Sequence, residues 1–322
     1  MSDYITIKGQ DIQVVSSDPA NPTLGQIWYN TTSQSLKGEE LATAAWASGG
    51  NLNTARYSLA GDGTQTAAFA CGGTGTPSPT NATEEYNGSS WTAGGNMGTT
   101  RYSLAAAGTQ TAGLGFGGYT SPGFSNATEE YDGSSWTAGG NLGTGRDQPG
   151  GAGTQTAGLA FSGEYTGFPT SNITEEYDGS AWTAGGNLNT TRQRPGGAGT
   201  QTAGLAFGGW NANPTGVTEE YDGSSWTNGG TMNTARKSPE GAGTQTAALA
   251  FGGITTGSLA NTEEYDGSTW TTSTNLTTAR RYLAGAGVQT AALAAGGLGP
   301  PTYNVTEEYT GGGPVTVTIS GS

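Results

Sequence analysis

Apolar residues in this chain come in short runs, and the runs recur in a fixed order. In one copy of that order, small residues from Arg101 to about Ala107 predict a first strand, followed by a tight G-T-Q turn. Thr111 to Phe116 predicts a second, in which Leu114 and Phe116 stand two apart and so point to one face. Thr128 to Tyr131 predicts a third strand, with Asp132 and Gly133 as the hairpin turn after it. Trp136 marks a fourth. The order then returns. Trp46, Trp91, Trp136, Trp182, Trp226 and Trp270 are spaced 44 to 46 residues apart, and ten residues after each stands Arg56, Arg101, Arg146, Arg192, Arg236 or Arg280. A T-E-E-Y motif ends at Tyr86, Tyr131, Tyr177, Tyr221, Tyr265 and Tyr309, and the turn glutamine recurs at 65, 110, 155, 201, 245 and 289.

A repeat of this length, made of strands and Gly-rich turns, is the pattern of a β-propeller blade. A lone unit buries a few large side chains at about 2 kcal/mol each, against about 1–2 kcal/mol of ordering cost per residue. Neighbouring units must therefore share faces. Strands nearest a propeller axis are crowded, which fits the small residues Ala105, Ala106, Ala107, Ala112 and Gly113. Trp46 precedes any first three strands, and Glu307 to Tyr309 form a third strand with no tryptophan after them. The segment around Ala44 to Ser48 is therefore expected to complete the sixth unit. The phenylalanine before Gly-Gly becomes Cys71 in the first copy and Ala295 in the sixth, so packing beside that seam should differ.

The set Gly117-Gly118, Tyr131-Asp132, Trp136 and Arg146, repeated from 46 to 309, resembles the Kelch motif, with strands richer in alanine and a shorter unit than many Kelch repeats. The rival Asp-box of sialidase propellers, S-x-D-x-G-x-T-W, fits less well, because the aspartate-to-tryptophan spacing is one residue short. The resemblance implies an all-β fold: a six-bladed Kelch-like propeller over residues 39–310, with four-stranded blades closed by an N-terminal outer strand. A β attachment segment at 1–38 and a strand-like tail at 311–322 flank it.

Composition narrows the functions. Only 11% of residues are charged, 59 are glycine, and the net charge is −14. Low hydrophobicity alone reads as disorder, but disordered chains do not hold Trp, Tyr and Arg in register. The negative charge argues against nucleic acid and against anionic membrane surfaces. No apolar run is long enough for a membrane span, and the N-terminus shows no secretory pattern. A single cysteine, Cys71, excludes a disulfide framework within the chain. There is no histidine, which removes the usual general base and the commonest metal ligand. No cofactor and no metal are expected. The N-x-T sequences at Asn126 and Asn172 follow from composition.

Six registered arginines against twelve T-E-E-Y glutamates invite a catalytic reading, but identical copies point instead to structural pairing, between blades or to backbone. Arg194 and Arg281 fall outside the register. The acids Asp147, Glu164 and Glu240 vary between copies and are expected at solvated loop positions; a carboxylate-pair hydrolase would need such acids to meet over a central channel. The turns after the first and third strands are nearly constant. The loops after the second strand differ completely, as do the residues following each registered arginine: Tyr57, Tyr102, Asp147, Gln193, Lys237 and Arg281. In a four-stranded blade both variable sets emerge on one face. Tyr57, Tyr102, Tyr119, Phe124, Tyr165, Phe168, Trp210 and Tyr303 are therefore candidate ligand-binding residues, suited to a surface glycan.

The N-terminal segment predicts strands at Tyr4 to Lys8 and Ile12 to Val15, then a hairpin of I-W-Y-N, a four-residue turn and S-L-K-G. Its D-P-x-x-P-x-x-G-Q-I-W-Y-N stretch is similar to N-terminal segments of tailed-bacteriophage tail fibres and appendages. That resemblance implies a virion location, with Ile27, Trp28, Tyr29 and Asn30 docking to other virion proteins. The expectation is a non-enzymatic virion structural or adhesion protein reading a host surface glycan or protein, without membrane insertion; a homo-oligomer is left open. The alternatives are a sialidase-like glycan hydrolase and an intracellular Kelch scaffold for a protein partner.

Overall fold

Each repeat builds the same antiparallel sheet in the computed structural model, which describes residues 12–76, 78–121, 123–299 and 301–319. In the second repeat the strands are Ala105–Thr109, Ala112–Phe116, Thr128–Tyr131 and Trp136–Ala138. The third lies where the sequence put it. The first begins later than expected, because Ser103, with φ 55°, breaks the extended backbone just ahead of Ala105. No helix occurs among the described residues, and six sheets of this make follow one another along the chain. The architecture is all-β, and its succession of four-stranded antiparallel sheets is consistent with a multi-bladed propeller.

The recurring residues explain why neighbouring sheets pack. Trp136 Nε1 donates to Thr83 Oγ1 of the preceding repeat at 2.9 Å, and Tyr131 Oη donates to Glu85 Oε1 at 2.5 Å. Gln155 Nε2 reaches the carbonyls of Gly113 and Tyr131 in the repeat before its own, at 3.1 and 2.8 Å. The same bonds run from the first repeat to the sixth: Trp91 to Thr306, Gln65 to the carbonyls of Ala292 and Tyr309, and Tyr86 to Glu308. Close approach demands glycine at one point of this contact. A Cβ on Gly95 would lie 2.1 Å from the Ser134 carbonyl oxygen of the next repeat.

The sixth sheet takes its outer strand from upstream. Ala45–Ser48 pairs antiparallel with Thr306–Thr310, with Trp46 opposite Tyr309. Packing at the seam differs as anticipated. Phe116, Phe161, Phe207 and Phe251 each lie 5.0–5.2 Å from a tryptophan ring. Where Ala295 stands in that position, Trp91 packs instead among Leu52, Leu59 and Leu293. In the first repeat, where Cys71 replaces the phenylalanine, Phe69 meets Trp136 at 6.0 Å from the neighbouring inward position.

Among the described residues, 12–44 and 311–319 form a second compact unit. Within it Gln13–Val15, Ile27–Asn30, Ser35–Ala42 and Gly313–Thr318 make one sheet. The hairpin is present as read, with Ile27 opposite Gly38 and Asn30 opposite Ser35. The tail strand pairs with Ser35–Ala42 of its own chain. This unit therefore extends past the boundary expected at 38 and takes in the tail. The strand proposed at Tyr4 to Lys8 lies outside the described residues.

Candidate ligand-binding face

The registered arginines are consumed by their own repeats. Arg101 donates to the carbonyls of Gly115, Gly117 and Ala127 and to Glu129 Oε1, at 3.1, 3.1, 2.5 and 3.0 Å. All six pair with the first glutamate of the following T-E-E-Y, from Arg56 with Glu84 to Arg280 with Glu307, and all are buried. The ion pair lies within one repeat rather than between two, which corrects the inter-blade expectation. The backbone supplies the inter-repeat link: Gly73 N donates to the Arg101 carbonyl at 2.9 Å. Burial lowers the arginine pKa values, to about 10 for Arg192, while the facing Glu219 holds the proton on.

The two variable sets meet in every repeat. Tyr57 pairs with Thr74, Tyr102 with Tyr119, Asp147 with Glu164, Gln193 with Trp210, Lys237 with Ile254 and Arg281 with Leu298. Each bridge joins the residue after the registered arginine to the start of the loop following the second strand. One residue further on stand Ser58, Ser103, Gln148, Arg194, Ser238 and Tyr282, all with φ between 52° and 57°. Non-glycine residues adopt that left-handed conformation rarely, and such positions concentrate at functional sites. Their backbones link in series: Ser103 N to Ser58 O, Gln148 N to Ser103 O, Arg194 N to Gln148 O, Ser238 N to Arg194 O, and Ser58 N to Tyr282 O, at 2.7–3.1 Å. Nothing in the sequence marks these six, since none is glycine or asparagine.

The nominated aromatics are distributed over this face rather than gathered in one pocket. Tyr102 and Tyr119 lie 5.5 Å apart, and Phe124 meets Tyr119 edge-on at 5.7 Å. Tyr165 and Phe168 stack at 4.8 Å, with Phe168 56% exposed. Tyr57 lies 6.5 Å from Tyr282. Trp210 pairs with Pro214 in a small hairpin of its own. Tyr303 lines a groove of about 730 Å³ with Ser258, Thr278, Arg281 and Gly299. Of the residues nominated for docking, Trp28 is fully buried and Asn30 nearly so, both donating to Asp18 Oδ1 at 2.9 and 2.7 Å. Ile27 and Tyr29 alternate to the opposite sheet face, where Val14 pairs with Tyr29 and is 58% exposed.

Two of the three variable acids are not where solvent would put them, while Glu164 is half-buried in the loop after its second strand. Asp147 is buried; its Oδ2 accepts from Gln148 Nε2 at 2.6 Å and its Oδ1 has no partner. Burial raises its pKa to about 7, with nearby Glu164 adding to the rise. Glu240 sits on the first strand of its sheet, Glu240–Thr244, rather than in a loop, and burial raises it to about 8. Asp62, which sequence reasoning passed over, is raised to about 7 by the same cause and accepts from Gly63 N and Gly108 N at 2.7 and 2.9 Å. Its signal was visible: Ala107, Ala152, Ala198, Ala242 and Ala286 fill that position elsewhere. Asp62 and Glu240 line one narrow cavity of about 150 Å³ walled largely by glycine.

Among the described residues no group of three or more acidic or cysteine side chains is arranged to hold a metal ion, and no helix is long and apolar enough to cross a membrane. No protein-family model matches the chain, and no curated protein matches it.

Proposed function

We propose that the six sheets are the blades of one closed, Kelch-like propeller that serves as a non-enzymatic virion adhesion protein, binding a surface glycan through its variable face. One observation carries the reading: the repeated polar groups are bonded to one another, while the unrepeated ones are brought together in every repeat. Repetition without variation suits a scaffold, and variation confined to one face suits recognition. Aromatic rings beside hydroxyl and amide groups match a sugar, which has an apolar face and a polar rim. The attachment role falls to the smaller unit, where Tyr29 shares an apolar sheet face with Val14 and Leu36.

The hydrolase alternative asks for unrepeated acids over a central channel, and Asp62 and Glu240 supply two. Their cavity of about 150 Å³ is smaller than the roughly 300–1,000 Å³ usual for a ligand site, which favours binding over hydrolysis. Probing an array of bacterial surface glycans with the full chain tests the reading. The double variant Trp210→Ala, Tyr303→Ala is expected to lose at least about tenfold in binding; unchanged binding removes the assignment of this face. For the virion location, antibody against the repeats should label intact phage particles, and labelling absent from particles removes it.

A further inference from the structure

Nine of the chain's cations lie between Ala45 and Thr310. Six are the buried, paired arginines, and the other three are Arg194, Lys237 and Arg281, on consecutive repeats of the variable face. Among the described residues, none of these three forms an ion pair with a carboxylate. In a protein of net charge −14 acids are plentiful, yet these three cations stand outside the ion pairs; Arg194 still lies near enough to the Asp147 carboxyl to act on it, which leaves Arg281 as the cation facing an open groove.

Two of them crowd one ring. The guanidinium carbons of Arg194 and Arg281 stand 5.0 and 5.6 Å from the centre of Tyr282. Arg194 Nη1 donates to the Tyr282 hydroxyl, while its Nε is buried without a partner. Two like charges drawn to one ring repel each other, while the ring attracts each by about 0.5–2 kcal/mol. A bound anion would relieve the repulsion.

Arg281 also opens onto the groove of about 730 Å³ between the fifth and sixth repeats. Its Nη1 donates to Ser258 Oγ at 2.8 Å, which in turn donates to the Leu298 carbonyl at 3.2 Å, so the guanidinium is held in place before any ligand arrives. Its remaining N–H groups form a planar fork matched to a carboxylate. Thr278 and Ser258 bring hydroxyls, and Tyr303 brings an aromatic wall. Gly299 makes room for that wall, because a Cβ there would lie 2.7 Å from Tyr303 Oη. The groove's volume lies within the roughly 300–1,000 Å³ usual for a small-ligand site.

We propose that this groove is a subsite for an acidic sugar, with Arg281 taking its carboxylate and Tyr303 its ring face. The inference rests on the glycan reading above and narrows it to carboxylate-bearing units. An acidic protein partner fits less well, because the cation stands in a hydroxyl-lined groove rather than along a flat basic stripe.

The test uses the full chain on an array that prints hexuronic-acid and nonulosonic-acid oligosaccharides beside their carboxyl-reduced counterparts. At least one acidic probe should bind about tenfold more tightly than its reduced partner, the worth of one charged hydrogen-bond pair. Arg281→Gln should erase that preference while leaving the thermal midpoint unchanged. Should the variant fold poorly, salt on the unaltered chain serves instead: raising it should weaken acidic probes and spare neutral ones. Equal binding of acidic and reduced probes overturns the acidic subsite but leaves glycan recognition standing. Binding to no sugar overturns both. A polyglutamate peptide bound as tightly as the best sugar overturns the glycan class.

Discussion

Arg192, in the fourth repeat, and Arg281, in the sixth, have opposite fates. Arg192 is fully buried, and its guanidinium meets Glu219 at 3.1 Å and the carbonyls of Ala206 and Val217. Arg281 meets a serine hydroxyl, the face of one tyrosine and open groove. The residue type is the same, and what differs is whether the chain supplies the anion. Where it does, the arginine fixes a segment to its sheet. Where it does not, the charge is left for something else to meet.

The contrast is broken most strongly from the buried side. Arg192→Met strands Glu219 in the interior and should cost about 3–5 kcal/mol, read as a fall in urea midpoint; adding Glu219→Gln should recover part of it. Arg281→Gln should stay within about 0.5 kcal/mol of the parent. If the two substitutions cost the same, the division between sealed and available cations fails.

The acids sharpen the same contrast through pH. Asp62, Asp147 and Glu240 have folded-state pKa values raised to about 7, 7 and 8 by burial. The folded state therefore holds protons that the unfolded chain releases near pH 4, so stability present at low pH is lost as pH rises through 7 to 8. The turn aspartates Asp132, Asp222 and Asp266 behave oppositely, held at about 2 by hydrogen bonds from the following residues, and their contribution is lost only as pH falls toward that value. The Asp62→Asn, Glu240→Gln variant should flatten the decline between about pH 4 and 8 by more than about 2 kcal/mol, measured as denaturant midpoint against pH. An unchanged slope would show that these two carboxyls are already ionised.

A smaller effect separates the two kinds of tyrosine. Tyr177→Phe removes the hydroxyl that donates to Glu130 at 2.5 Å across a repeat boundary, and should cost about 1 kcal/mol. Tyr102→Phe on the variable face should cost less than about 0.5 kcal/mol. Thermal midpoints of the pair decide whether the inter-repeat bond is worth more than the face hydroxyl.

What repeats was legible in the sequence, because six parallel copies make each position its own control. Trp46 opposite Tyr309 could be read from an outer strand that came too early and a third strand that lacked a partner. Glu240 was misplaced for a different reason. It stands where Ala60, Ala105, Gly150, Gly196 and Ala284 open the first strand elsewhere, so its register pointed inward while its charge pointed to solvent. The left-handed positions from Ser58 to Tyr282 were invisible, since their conformation is imposed by neighbouring backbones and not by residue type. In the smaller unit the hairpin register was readable, but the burial of Trp28 and Asn30 was not, because it depends on Asp18 folding back over them.

The strand Ala45–Ser48 has a temporal consequence. During synthesis it leaves the ribosome long before Thr306–Thr310 exists to receive it. Through nearly all of translation the indole of Trp46 has no home, and its backbone edge stays open to strangers. Joining is thus deferred to the final moments of manufacture, so a chain cut short before residue 306 forfeits the latch altogether.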